Sequence, residues 1–216
     1  MRVFARICYS HPVMPSSSAT TRLKPRKTPR QARSAETVRV ILEAAARILE
    51  SQGLAGFTTN AVAERAGVSV GSLYQYFPSK EALTGALIRQ ETTVLLEDAA
   101  AALHEPSGRA ALTKLIAAAV RHQLRRPALA RLLDFEESRL PLDETVRRVA
   151  DRLRAILAEV LGRPDLPPQE HAEIAAADVV AIVKGMVDAA GERGETDPQP
   201  LEARVGRAVF GYLAAG

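Results

Sequence analysis

Apolar residues recur at steps of three and four along most of the chain after Ser34, the spacing that lines one face of a helix. The first run, Val38, Ile41, Leu42, Ala45, Ile48 and Leu49, predicts a helix over about 35–52 that Gly53 stops. Two short elements follow. Thr58 and Thr59 offer hydroxyl caps to a helix over about 59–66, with Val62, Ala63 and Ala66 on its apolar side and Gly67 placed for a left-handed cap. Ser69 can cap a second short helix ending at Phe77, where Pro78 forces the chain out. Ser79 caps a longer helix that runs from Lys80 towards Leu103. Further helices are expected over about 109–125, 127–138, 142–162, 168–190 and 199–214, separated by prolines and glycines. No segment alternates as a strand does and no long-period repeat is visible, so the expected fold class is all-α.

Residues 1–33 break this pattern. They are rich in Pro, Ser, Thr, Arg and Lys and carry too little apolar surface to offset the entropy of ordering, so a disordered basic arm is expected there. Arg2, Arg6, Arg22, Lys24, Arg26, Lys27, Arg30 and Arg33 meet no acid before residue 35. Of 29 basic residues, 21 then remain against all 25 acids, so a basic arm precedes a mildly acidic body. The prolines and the lack of an amphipathic run argue against a transit peptide, and Met14 offers an alternative translation start. The expected organisation is an arm over 1–33, a head over 34–95 with a two-helix unit at 58–77, and a helical body over 96–216.

Composition removes several function classes. With 216 residues, 47% hydrophobic and 25% charged, the chain can bury a sizeable core, and it is neither collagen-like nor disulfide-rich. Cys8 stands alone, which fits a reducing compartment and a cytoplasmic protein. The most apolar stretch, Ile174 to Ala190, is interrupted by Asp178, Lys184 and Asp188, so no membrane span is expected. There is no CxxC, HExxH or Gly-rich phosphate loop, hence no expected metal, cofactor or catalytic residue.

The segment from Thr58 to Lys80 carries the recognisable chemistry. Two short helices joined by a glycine-containing turn, braced by a helix on each side, outline a helix-turn-helix. In the second, Val70, Leu73 and Phe77 are expected to pack inward, leaving Ser69, Gly71, Ser72, Gln75 and Tyr76 outward. Such a face suits the DNA major groove: Gly71 permits close backbone approach, Ser and Gln bond base edges, and Tyr74, Tyr76 and Lys80 reach phosphates. From 35 to 80 the four basic residues Arg39, Arg47, Arg65 and Lys80 are matched by Glu36, Glu43, Glu50 and Glu64, so the head is neutral. Salt-dependent affinity is then expected from Arg22 to Arg33, following a minor groove, with a solvated tail of no consequence as the competing reading.

The residues Ile41-Leu42-Glu43-Ala44-Ala45, Gly53, Phe57-Thr58-Thr59, Val62-Ala63, Ala66-Gly67-Val68-Ser69, Gly71-Ser72-Leu73-Tyr74, Tyr76-Phe77 and Ser79-Lys80-Glu81-Ala82-Leu83 resemble the DNA-binding domain of TetR-family transcriptional regulators. The resemblance covers about 35–95. It implies that Thr59 and Asn60 touch phosphate and base, that Ser69, Gly71, Ser72 and Gln75 lie in the groove, and that Tyr74, Tyr76 and Lys80 hold the backbone. Three positions depart from the family's usual pattern. Tyr76 stands where His is frequent, Asn60-Ala61 where an arginine is frequent, and Ile48-Leu49 where Leu-Phe is frequent.

The resemblance also implies a homodimer formed by the last two helices, for which Val183, Val187, Val205, Val209 and Tyr212 are the candidate contacts. An ordinary intramolecular core is the competing reading of those stripes. An effector pocket is implied between about 100 and 170, with His122, Phe135 and Arg139 as its distinctive residues, although a packing or surface role suits His122 better. Asp134, Glu136 and Glu137 read as a solvated face rather than a metal site, and the scarcity of aromatics favours an aliphatic effector. The expected function is a regulator of transcription, a repressor released from a palindromic operator on double-stranded DNA by an unknown small molecule. The alternatives are a DNA-binding dimer with a protein partner and no effector, and an all-helical enzyme.

Overall fold

The computed structural model describes residues 32–139 and 144–215. The basic arm, including the stretch expected to follow DNA and the candidate start at Met14, lies outside the described residues, apart from its last two positions. All regular structure among the described residues is helical, as the periodicity predicts. Helix α1 spans Ala32–Gly56, but Gly53 at φ 63°, ψ −163° breaks it, so the glycine interrupts the helix where expected and one more turn follows. Helix α2 is Thr59–Ala66; the Thr58 hydroxyl accepts from the Ala61 N–H, and Gly67 closes it in the left-handed conformation. Helix α3, Val70–Tyr76, is capped by the Ser69 hydroxyl accepting from the Ser72 N–H and ends on an extended Phe77.

Helix α4 runs over Lys80–Ala100 from its Ser79 cap and tightens into a 3-10 turn at Ala101–His104, so the regular helix stops short of Leu103. Helices α5 (Gly108–Arg125), α6 (Pro127–Arg139), α7 (Glu144–Leu161), α8 (Ala172–Glu192) and α9 (Pro198–Ala214) complete the chain. Helix α8 starts later than the expected 168, after Pro167 and Pro168.

These helices enclose two cores. In the first, Ile41, Ile48, Leu49, Phe57, Val62, Leu73, Phe77, Leu83 and Leu87 pack α1 to α4 together. Leu129 and Leu133 of α6 also belong to it, although α6 lies far along the chain in the body. The second core joins α5, α7, α8 and α9 through residues such as Leu112, Val120, Val160, Val183, Val187, Val205 and Val209. Buried threonines of α4 satisfy themselves locally: the Thr92 hydroxyl donates to the Ile88 carbonyl at 2.7 Å and Thr84 to Lys80 at 3.0 Å.

Two departures concern faces rather than elements. Val70, expected inward with Leu73 and Phe77, is 38% exposed while those two are at 0% and 1%. It is the first residue of α3, where the helix diverges from the core before Leu73 reaches it. Second, the start of α5 is held by the loop after α7. The Asp165 carboxylate accepts from the Gly108 and Arg109 N–H groups at 2.7 and 3.0 Å, filling orphan donors of the first turn. Arg163 donates to the carbonyls of Leu103, Glu105 and Ser107. Gly108 is the residue this closeness requires, since a Cβ there would stand 2.9 Å from Leu166 Cγ and 3.0 Å from Arg163 Cβ.

The N–H bonds from Arg109, then Gly108, hold the Asp165 carboxyl below its ordinary pKa. The folded chain therefore binds fewer protons than the unfolded one at acid pH, and this contribution, complete above the ordinary carboxylate range, is lost as pH falls through the depressed value. Asp165→Asn is expected to lower Tm at pH 7, with the deficit against wild type shrinking in melts taken progressively from pH 5 to pH 2.5.

Candidate nucleic-acid interface

The helix-turn-helix is held from behind by carbon and presents backbone, polar groups and the exposed Val70 in front. Leu73 and Phe77 anchor α3, and Val62 and Ala63 anchor α2, all at 1% exposure or less. Gly71, Tyr74 and Gln75 on α3, Ser69 before it and Asn60 on α2 are exposed, and Thr59 and Ser72 are half-buried. The sequence-predicted DNA residues are thus at least partly solvent-exposed, but Tyr76 turns to the first core and Lys80 back to the end of α1. Tyr76 is half-buried and packs on the first core, which follows from its place beside the Phe77 anchor at the helix end.

The two helices are joined across this face. The Tyr74 and Thr59 hydroxyls lie 3.1 Å apart, linking residues 15 positions apart in sequence and setting the angle between α2 and α3. Ser69 is already engaged as the cap, and its hydroxyl lies 2.8 Å from that of Ser72. Gly71 has open space around it: an added Cβ would meet nothing nearer than Ser69 Oγ at 3.9 Å. The fold itself places no steric demand for glycine at 71. Lys80 begins α4, but its ammonium turns back, 3.5 Å from the Leu54 carbonyl and 5.2 Å from the centre of the Phe57 ring.

Charges on the head are balanced from both inside and outside. Glu36 pairs with Arg39 and Glu43 with Arg47, one helical turn apart on α1. Arg126, at the corner between α5 and α6, forks onto Glu50 at 2.7 and 2.6 Å and reaches Glu43 at 3.0 Å. The Glu50 hydrogen bonds raise the guanidinium pKa against the opposing effect of burial. Sequence reasoning missed Arg126, because its partners are 76 and 83 residues away; its only local mark is the Arg125-Arg126-Pro127 corner. Arg125 ties α5 to Glu91 of α4 at 2.6 Å.

The body contains an apolar cavity of about 70 Å³ among α4, α5, α7 and α8. Leu95, Leu112, Ile116, Ala119, Leu157 and Val183 are among its walls, and every lining side chain among the described residues is aliphatic. Of the expected effector residues, neither His122 nor Phe135 lines it. His122 lies on α5 with its Nδ1 enclosed and without a hydrogen-bond partner among the described residues, and burial lowers its pKa. Phe135 is 51% exposed on α6, and the Arg139 side chain lies outside the described residues, as do those of Asp134 and Glu137. Among the described residues no three His, Cys, Asp or Glu groups could share a metal ion, and no helix is long and apolar enough to cross a membrane.

The expected dimer contacts are also placed differently. Val183, Val187, Val205 and Val209, each 7% exposed or less, face α5 and one another inside the second core. These four valines, expected as dimer contacts, pack within the chain instead, because the two apolar stripes meet each other in the second core. Tyr212 is half-buried, and its hydroxyl donates to Asp178 at 2.7 Å, tying α9 to α8. The outward side of α8 instead carries Ile174, 58% exposed, followed by Ala181 and Gly185.

Comparison with known proteins agrees with this architecture. The family profile described as "Bacterial regulatory proteins, tetR family" matches residues 41–87, and that for "Tetracyclin repressor-like, C-terminal domain" matches 109–213. The chain is 32% identical over 181 residues to the HTH-type transcriptional regulator BetI 2 of Chromohalobacter salexigens, covering 81% of this chain and 83% of that one. It is 31% identical to the nucleoid occlusion factor SlmA of Vibrio vulnificus, over 68% of this chain and 80% of that one. Among solved structures, the regulator FadR of Bacillus subtilis, crystallised with stearoyl-CoA, superposes with a TM-score of 0.68 at 19% identity, over 82% of this chain and 98% of that one. The two profiles together span the head and the body, and the chain belongs to the TetR family of bacterial transcriptional regulators.

Proposed function

We propose that this regulator is a homodimeric repressor that reads a palindromic operator with α2 and α3 and leaves it when an aliphatic effector enters the body. The observation that carries the reading is the open face of α3: Gly71 is surrounded by empty space although nothing inside the chain needs a glycine there. A bare backbone at the centre of an exposed helix face fits close approach to base edges. Thr59, Asn60, Ser72, Tyr74 and Gln75 supply hydrogen-bonding groups around it, with Gln75 and Asn60 the freest to read bases. Lys80 acts chiefly by holding Phe57 and the end of α1 in place.

A single seven-residue reading helix spans too few base pairs for specificity, so two copies related by a dyad are required. The outward side of α8, with Ile174, Ala181 and Gly185, suits close packing against a second copy, since a Cβ on Gly185 would meet nothing within 4 Å. The purely aliphatic walls of the cavity favour a hydrocarbon ligand. The stearoyl-CoA held by FadR supports an acyl chain as its type. Helix α4 lines the cavity and begins one short turn after α3, and α5 lines it and ends at the Arg126 bridge to α1. Ligand entry between these helices therefore bears on the head from two sides, and it shifts the population only to the extent that the ligand binds the released arrangement better. The likeness to BetI 2, a transcriptional regulator, favours DNA binding over the catalytic alternative.

The likeness to a nucleoid occlusion factor favours a second reading, a DNA-bound dimer that acts through a protein partner without an effector. The experiment that separates the two is a thermal melt of the purified chain against fatty acids and acyl thioesters of graded length, combined with operator selection from random duplexes. A raised Tm and release of the selected palindrome support the effector reading. Indifference to the whole series supports the second.

Three variants extend the test. Gly71→Ala should raise stability by about 0.5 kcal/mol, as alanine does in a helix, while weakening operator binding by roughly 1–3 kcal/mol through steric overpacking; melts and anisotropy titrations give the two quantities. Ala119→Leu, which fills the cavity, should abolish the ligand-induced rise in Tm, and the acyl series should then no longer change its operator affinity. Gly185→Glu should shift the mass by sedimentation from twice the chain's 23.2 kDa to 23.2 kDa.

A further inference from the structure

We propose that Val70 is a base-reading residue that recognises the 5-methyl group of a thymine in each operator half-site. This rests on the reading of α2 and α3 as the operator-contacting unit. The sequence pattern assigns Val70 to the inner face of α3, yet it is 38% exposed. It opens the helix, beside the uncrowded Gly71 and one turn before the exposed Tyr74, so its isopropyl group shares the face that meets DNA.

The polar groups of that turn are turned towards each other. Ser69 Oγ accepts from the Ser72 N–H at 3.0 Å and lies 2.8 Å from Ser72 Oγ, which leaves the valine as the protruding group of the turn. In the major groove thymine alone among the four bases presents a methyl group, while adenine and cytosine present amino donors that an apolar side chain would strip of water without replacing their hydrogen bonds. A β-branched side chain is also stiff about χ1, so little rotamer entropy is lost when it is pressed against a methyl group. Valine at this place therefore both rewards thymine and penalises the alternatives.

The test uses the full chain and an operator obtained by selection from random duplexes. Each thymine is replaced in turn by deoxyuridine, which deletes the methyl group and leaves every hydrogen-bonding edge intact. Wild type should weaken about fourfold at one symmetry-related thymine in each half-site and about fifteenfold when both are replaced, the equivalent of one buried methyl group per half-site. Val70→Ala, whose side chain is exposed and whose melting should match wild type, should bind the thymine and deoxyuridine operators equally. Wild-type indifference to every deoxyuridine replacement overturns the assignment and leaves specific DNA binding standing. Full deoxyuridine sensitivity retained in Val70→Ala also overturns it, since another group then reads the methyl. Failure to select any sequence overturns the operator reading on which the assignment rests.

Discussion

The docking of the α5–α6 corner onto α1 is the constraint on which the rest of the molecule depends. Arg126 forks onto Glu50 and reaches Glu43, while one and two turns further on Leu129 and Leu133 enter the core of the head. A charged group at 20% side-chain exposure is tolerated because two carboxylates and good fork geometry replace its water. The leucines add apolar burial that the short α2 and α3 cannot supply by themselves. Without this corner the head would hang from the body on α4 alone. With it, the position of the reading helix is tied to the packing of α5, and hence to the cavity that α5 lines.

Fixing the head from behind lets its front remain chemically sparse. The exposed and half-buried positions of the helix-turn-helix include a valine, a bare glycine, two serines that bond each other, a tyrosine braced by a threonine, and a glutamine. In the operator reading proposed above, hydrogen bonds from Gln75 and Asn60 act together with the close approach of backbone and apolar groups. Such recognition demands rigidity, because a contact at van der Waals distance fades within an ångström. The Thr58, Ser69 and Ser79 caps and the Tyr74–Thr59 link supply that rigidity locally, and the Arg126 corner supplies it globally.

Much of this was legible from the residues in order. The caps at Thr58, Ser69 and Ser79, the left-handed Gly67 and the interruption at Gly53 stand where local rules put them, since a cap and a turn involve groups within four residues of each other. Face assignments held where a helix is long enough to meet its neighbour along most of its length. They failed at Val70, because the first turn of a short helix diverges from the core, and at Val183, Val187, Val205 and Val209, because an apolar stripe does not say whether its partner is the next helix or a second chain. His122 and Phe135 lie away from the cavity for a similar reason. Distinctive side chains were sought, whereas the walls are ordinary aliphatic residues contributed by four helices.

By itself, the sequence determined the helical elements, their stops and the polar set of the helix-turn-helix, because these depend on propensity, periodicity and short-range hydrogen bonds. Only the tertiary structure decided which stripes meet within the chain, where space is left among α4, α5, α7 and α8, and which guanidinium joins the head to the body. Those outcomes arise from contacts between residues tens of positions apart. Their geometry follows from how whole helices settle against each other, and no local pattern records it.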